Sequence, residues 1–562
     1  MDFLDLIASA LADATGLTKE QIAEWMETPP NPELGDYAFP CFRLAKTLHK
    51  APAVIAGELA NAIALPEGVE RAVAAGPYVN FTVSKAALGR AVLTRVFAEG
   101  ERYGGSDMGQ GRNICIDYSS VNIAKPFHIG HLRSTVIGNA LYRIYEHMGY
   151  NCVGINHLGD WGTQFGKMLC AYKKWGDRSE IERDGVSALV KLYVRFHQEA
   201  EGNDALNDEA RAWFKKIEDR DAEATELYEW MKALTLAEAG RVYDMLGIAF
   251  DSYAGESFYN DKMDRVVDEL KKDGLLKLDD GAEIVDLSAY KMPPCIILRS
   301  DGATLYATRD IAAALYRKDT YDFAKCLYVV AYQQDLHFKQ WFKVVELMGY
   351  DWAKDLVHVS FGMVSVKDGT LSTRSGNVIY LMDVLKAAVD KTYDIICEKS
   401  PELPDKRAAA RQVGVGAIVW NGLYNGRIKD VQFDWETALN FDGETGPYVQ
   451  YTHARACSVL RKAAPEGEID YALLSDPESA AVVSAIAAFP DAVREAMDKN
   501  EPYLVSRNLI AVCTAFNRFY YGQRIMADEA DVRNARLTLT KAVAQVLRIG
   551  LRLLGIAAPE KM

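Results

Sequence analysis

Apolar and polar positions along the chain fall into three successive regimes. In the first 85 residues, helical spacing at 3–14 and 52–64 surrounds a turn-rich stretch at 29–37 and gives way to an alternating run at 78–83, Tyr-Val-Asn-Phe-Thr-Val. Spacing of 3.6 predicts amphipathic helices and alternation predicts a half-buried strand. Pro52 suits a first helical turn, where its missing N–H costs nothing. A glycine-rich linker at 104–111 precedes a short apolar run at 114–118. From 112 to about 390, strand-like runs (114–118, 295–298, 326–330) alternate with helix-like ones (132–148, 339–348), the pattern of a parallel α/β sheet. From about 400 onwards the pattern is almost wholly helical, with amphipathic stretches at 451–463, 478–498, 503–524 and 532–554. The prediction is a multidomain chain: an N-terminal α+β domain over 1–85, a Rossmann-like parallel-sheet core over 112–390 with a helical insertion at about 175–250, and a C-terminal all-α helical bundle over 400–562. There are no internal repeats or low-complexity tracts.

Composition adds constraints. The chain has 562 residues, 49% hydrophobic and 25% charged, as expected of a globular protein. No apolar run approaches the roughly 18–20 residues that span a bilayer, and the acidic N-terminus lacks the basic start of a signal peptide. The nine cysteines are scattered without a CxxC or a Cys/His cluster. They read as buried free thiols in a reducing, cytoplasmic setting, with no structural zinc. The net charge of −14 argues against a nucleic-acid partner, but it hides a gradient. Residues 201–230 hold ten acids and four bases, whereas 503–562 hold nine Lys/Arg against four Asp/Glu. A basic C-terminal helical region can still bind RNA.

The chemistry concentrates in five segments. Ser119–His131 joins a strand to a helix and places His128, Gly130 and His131 at the helix N-terminus, with Lys125 beside them. Helix N-termini attract phosphate. Imidazoles and a lysine extend that site with side chains, and Gly130 would let adenine approach the backbone. Asn156–Gly166 follows the next strand with three glycines around Asp160, Trp161 and Gln164; alone it reads as a turn with a packed Trp. Tyr306 and Asp310 lie four apart at a helix start, either a cradle for a cationic side chain or a solvated first turn. Gln333, Gln334, Asp335 and His337 follow the 326–330 strand as a polar loop. Lys367–Asn377 is small, polar and glycine-bounded, and with Arg374 it could close over a triphosphate or be an ordinary turn.

Together these segments resemble the class I aminoacyl-tRNA synthetases, and specifically the arginyl family. His128-Ile129-Gly130-His131 is the class I signature, flanked by Ala124-Lys125-Pro126 and Leu132-Arg133-Ser134-Thr135 in their arginyl form. Gly159–Gly166, Tyr448–Arg455, Gly35-Asp36-Tyr37-Ala38 and Gly76–Phe81 are similar to that family as well, so the resemblance covers essentially the whole chain. It implies a two-step reaction: ATP-dependent formation of arginyl-adenylate, then transfer to the 3′ end of tRNA(Arg). The substrates are ATP with Mg2+, L-arginine and tRNA(Arg), with no membrane partner, and the chain acts as a cytoplasmic monomer. The resemblance gives Lys125, His128, His131 and Arg374 catalytic roles. His128, Gly130, His131, Lys125 and Ser372 would bind ATP. Ser120, Asn122, His131 and Gln334 would take the amino and carboxylate end of arginine, and Tyr306 and Asp310 its guanidinium. The N-terminal domain would read the tRNA elbow through Asn80 and Phe81. The C-terminal helices, as the anticodon-binding domain, would use Tyr451, Arg455, Asn517, Phe519 and Tyr520.

One departure from the class I pattern matters. The second signature of the class, Lys-Met-Ser-Lys, is here Thr370-Leu371-Ser372-Thr373, with no lysine at either end, and Ser375 stands where a lysine often follows the arginine. The resemblance gives Lys125 the task of supplying the missing charge. It also implies that tRNA is needed for amino-acid activation. A cysteine enzyme of the class would want a zinc site. A glutamate enzyme would want cations where Tyr306 and Asp310 stand. A catalytically dead RNA-binding paralogue would have no use for the intact His128, His131, Lys125, Asn122, Asp310 and Gln334.

Overall fold

The strand Asn113–Asp117 pairs in parallel with Asn151–Ile155 on one side and with Lys325–Tyr328 on the other, and Leu356–His358 extends the sheet beyond Lys325–Tyr328. The computed structural model describes residues 3–29, 31–300, 302–366 and 379–562. Ile114, Cys115 and Ile116 are fully buried, which is why this segment is apolar throughout rather than alternating. The chain next pairs outwards to Asn151–Ile155 and only later returns to the opposite flank. The carboxyl ends of Asn113–Asp117 and Lys325–Tyr328 therefore bound a topological switch point, the place where open α/β sheets bind ligands. The helices Leu132–His147, Tyr306–Tyr321 and Asp335–Leu347 accompany this sheet. Trp341, Cys326, Ile311 and Cys115 share one buried cluster beneath it.

Two expectations require correction. Cys295–Leu298 is a strand, but it lies in a separate antiparallel sheet with Leu276–Asp279 and Ala282–Val285. The signal was local: Asp280 and Gly281 both have positive φ, the two-residue hairpin turn that Asp-Gly favours. The stretch expected as one helix over 478–498 is two, Pro477–Ala487 and Phe489–Lys499. Pro490 cannot donate a helical N–H, so it sits in a first turn. The acidic insertion folds as the helices Arg178–Asp184, Val186–Glu199, Asp204–Glu218 and Ala222–Leu246.

Contacts divide the chain into two compact units. One comprises residues 104–455, 489–510 and 547–562, and contains the parallel sheet; the other comprises 1–103, 456–488 and 511–546. In the second, Tyr78–Val83 is the middle strand of an antiparallel sheet between Tyr37–Pro40 and Val69–Ala75. Phe3, Ile7, Leu11, Phe39 and Phe81 form its core. Gly35 (φ +129°) passes so close to this strand that a Cβ would stand 2.6 Å from the Phe81 carbonyl oxygen. Asp36 then accepts from the Val83 N–H at 2.8 Å, so the Gly35-Asp36 motif fastens the sheet. Farther along, Gln545 Nε2 donates to the Val96 and Gly100 carbonyls at 2.7 and 2.8 Å, capping the end of helix Lys85–Glu99.

Candidate active site

Beyond Asp117 the chain turns sharply at the sheet edge. Ser119 (φ +70°), Ser120 (φ +48°) and Ala124 (φ +58°) all adopt left-handed backbone, at about 1 kcal/mol or more each for an L-residue. Two helices hold the loop in this shape. The Ser119 N–H donates to Ser134 Oγ at 2.9 Å, Ser119 Oγ lies 2.8 Å from Tyr243 Oη, and the Ala124 N–H donates to Thr235 Oγ1 at 3.1 Å. Ser120 Oγ donates to Asp117 Oδ1 at 2.9 Å. Asn122 bridges to Gly159, where a Cβ would come within 2.3 Å of Asn122 Oδ1. This glycine makes room for the asparagine amide and ties the first two motif segments together.

The loop delivers His128 to the 3-10 turn Ile129–His131, which runs into the helix Leu132–His147. His128 Nδ1 accepts from the Gly130 N–H at 3.0 Å, which puts its proton on Nε2. The His128 and His131 rings lie 4.0 Å apart. Burial, with the Lys125 charge adding to it, lowers the basicity of His128. Burial, then His128 and Lys125, depresses the pKa of His131 to about 3. Both imidazoles are therefore neutral at pH 7, and the cation of the turn is the exposed Lys125. Gly130 meets a need inside the turn itself: a Cβ there would sit 2.7 Å from His128 Cε1.

A second wall rises beside the strand Lys325–Tyr328. The helix Tyr306–Tyr321 carries Tyr306 at its first position, 65% exposed, and Asp310 one turn later, half-buried. Asp310 Oδ2 lies 2.6 Å from His337 Nε2. His337 sits in the first turn of Asp335–Leu347, after the 3-10 turn Tyr332–Gln334, where Gln334 is exposed. Near Asp310, burial raises the Glu256 carboxyl to about 7 despite Arg309 at 3.9 Å, and the charges of Asp310 and Asp160 add to the rise. Asp160 itself is fully buried; it accepts from Lys232 Nζ (2.6 Å), the Ser257 N–H (2.8 Å) and Ser257 Oγ (2.7 Å). The Gly159–Gly166 motif thus braces the insertion helix against the sheet edge.

Beneath the two walls, Arg317 donates to Asp117 Oδ2 at 2.7 Å, with both side chains almost fully buried. Asp117 therefore links Ser120 to the helix that carries Asp310. Removing one partner of such a pair strands the other charge. Arg317→Met is expected to cost about 3–5 kcal/mol, and the double variant with Asp117→Asn less than that. Urea unfolding of the three proteins checks this; equal losses in the single and double variants would mean that the ion pair does not set the cost.

Other motif residues are structural. Arg133 is fully buried, and its Nη1 donates to the Gly362 and Lys429 carbonyls at 2.8 and 2.6 Å. It fixes the strands Val364–Val366 and Val431–Phe433 at their starts. Ser134 Oγ donates to the Val329 carbonyl at 2.7 Å. Ser372 and Arg374 lie outside the described residues. The flanks of 367–378 are described: the Ile129 N–H donates to the Ile379 carbonyl at 3.2 Å and the Leu381 N–H to the Phe127 carbonyl at 2.9 Å. Ile379 and Leu381 thus lie against the histidine turn.

Three of the expected RNA contacts need correction. Phe81 and Phe519 are fully buried, so these side chains fill cores and present no face to RNA. Asn80 is only 4% exposed, and its Oδ1 is buried without a hydrogen-bond partner. Tyr451 is exposed, with the Arg455 guanidinium 4.8 Å from its ring centre. Asn517 and Tyr520 are half-buried, whereas Tyr521, absent from the sequence expectation, is 74% exposed.

Comparison with known proteins decides the family. The family model for the catalytic domain of class I tRNA synthetases (R) matches residues 92–435, the arginyl-tRNA synthetase N-terminal domain matches 1–83, and the DALR anticodon binding domain matches 449–562. Arginine–tRNA ligases of Alkaliphilus metalliredigens and Clostridioides difficile are each 54% identical, over the whole of both chains. This chain belongs to the arginyl-tRNA synthetase family. The arginyl-tRNA synthetase structure from Thermus thermophilus superposes with a TM-score of 0.83 at 27% identity, covering 99% of each chain. The Plasmodium falciparum arginyl enzyme shares the fold at a TM-score of 0.81 and 22% identity, covering 99% and 98%. Membership implies ATP as a substrate, ordinarily with Mg2+, together with arginine and tRNA. Among the described residues, no helix is long and apolar enough to cross a membrane.

Proposed function

We propose that this chain attaches L-arginine to the 3′ end of tRNA(Arg) in two steps. The arginine carboxylate attacks the α-phosphate of ATP, releasing pyrophosphate, and the terminal ribose of the tRNA then takes the arginyl group from the adenylate. The observation that carries the reading is one sheet edge holding two complementary features: an anion-attracting turn, with Lys125 beside neutral His128 and His131, and a half-buried carboxylate, Asp310. A planar guanidinium fork suits that carboxylate. Ser120, Asn122 and Gln334 orient the amino and carboxylate end, and Tyr306 closes over the guanidinium. His128, Gly130, His131, Lys125 and Ser372 hold ATP, with Mg2+ carried on its phosphates and no zinc. The protein contributes positioning and preorganised donors. The exposed Tyr451 with Arg455 offers a stacking platform for an anticodon base; Asn517 and Tyr520 are further RNA contacts. The N-terminal domain reads the tRNA elbow through surface other than the buried Asn80 and Phe81. The chain works as a cytoplasmic monomer, divided into the three regions expected from its sequence.

Arginine-dependent ATP–pyrophosphate exchange, with and without tRNA(Arg), tests the reading. Exchange is expected with arginine and tRNA present; exchange at full rate without tRNA would remove the tRNA requirement. Because 370–373 carries no lysine, Lys125 takes the larger share of the phosphate charge. Lys125→Ala is expected to lower exchange roughly ten- to hundred-fold, more than Arg374→Ala. The reverse order would overturn the role of Lys125.

A further inference from the structure

We infer that His337 is a positioning residue that orients Asp310 towards a guanidinium, and so helps select the amino acid. The inference rests on the arginine reading above and deepens it. His337 Nε2 lies 2.6 Å from Asp310 Oδ2, within hydrogen-bond distance. The carboxylate two residues earlier on the same helix is engaged elsewhere. Asp335, on the helix of His337, accepts from Ser360 Oγ at 2.7 Å and lies 3.3 Å from His358 Nδ1. His358 Nε2 in turn lies 2.9 Å from the Val330 carbonyl. His337 is therefore directed at Asp310, and it fixes one carboxylate oxygen while leaving Oδ1 for a ligand.

The choice of imidazole has a chemical consequence. A lysine or arginine at 337 would neutralise Asp310 and compete with a cationic substrate. An imidazole supplies a single N–H to one carboxylate oxygen from a fixed position. It also stops the carboxylate from rotating. A rotating carboxylate satisfies a point-like ammonium as well as a planar fork, whereas a fixed one favours the fork. His337 thus acts on substrate through Asp310.

Steady-state exchange with the full-length protein and tRNA tests this. His337→Ala is expected to raise KM for arginine about tenfold, the effect of one charge-assisted hydrogen bond, with kcat and the KM for ATP within about threefold. Inhibition by agmatine, which carries the guanidinium without the carboxylate, should weaken in parallel. His337→Gln, which keeps an N–H donor, should recover KM to within about threefold of wild type. An unchanged KM for arginine in His337→Ala overturns the inference, as does a KM for ATP that rises equally. Agmatine inhibition that stays put while KM moves also overturns it. A wild-type protein that shows no arginine-dependent exchange would remove the functional reading, and this inference with it. An active wild type with an unaffected His337→Ala would remove only this inference.

Discussion

Replacing Asp310 with alanine is expected to lower kcat/KM for arginine about a thousand-fold while leaving the KM for ATP within about threefold. Deleting one partner of a buried charged hydrogen bond costs roughly 2–5 kcal/mol, and about 4 kcal/mol is three decades. Asp310 belongs towards the upper part of that range. It is half-buried and held by His337. Asp310 is the anion proposed to touch the guanidinium. Asp310→Asn should be nearly as poor, because the amide keeps the shape and loses the charge. Its half-buried position on the first turns of a helix leaves the fold intact, so melting temperatures should stay close to wild type. Exchange kinetics with arginine and ATP varied in turn check the assignment. A loss smaller than tenfold, or one shared equally with ATP, would move guanidinium recognition elsewhere.

What the sequence revealed and what it concealed follow from the range of the interactions. The strand Tyr78–Val83 was legible to the residue, because alternation and flanking turns are local signals. The helix beginning at Leu132 was legible for the same reason. The hairpin before Cys295 was equally local, signalled by Asp280-Gly281, but the α/β rhythm around it suggested a parallel strand instead. Motifs proved less informative about which way side chains point. Phe81 belongs to a family-like segment and Phe519 to the helices expected to bind the anticodon, yet both fill cores. The network beneath the site had no sequence signal: Arg317 meets Asp117 across 200 residues. His337 stood in a polar loop without a role until the fold brought Asp310, 27 residues away, against it. The neutrality of His128 and His131 arises chiefly from burial, which no spacing reveals.

That neutrality shapes the other large expected effect. His128→Ala should lower kcat for adenylate formation a hundred- to a thousand-fold, with the KM values for arginine and ATP changing by less than about fivefold. Removing one preorganised donor from a site of developing charge has a cost of this size. The donor is His128 Nε2–H, fixed because Nδ1 is already occupied by the Gly130 N–H. His128→Asn, which keeps a side-chain N–H, should recover part of the rate. The same geometry sets a pH expectation. The folded pKa of His131, about 3, lies below the ordinary histidine value of 6.5, so the unfolded chain takes up its proton first as pH falls. Stability linked to this group is complete above about 6.5 and is lost progressively towards 3. Neither histidine should then produce a limb in the kcat profile between pH 7 and 8. Single-turnover adenylation across that range, in wild type and His128→Ala, reads both effects. A histidine limb near neutrality would mean that the pair works as a cation, and phosphate charge would then be shared among three positive groups instead of resting mainly on Lys125.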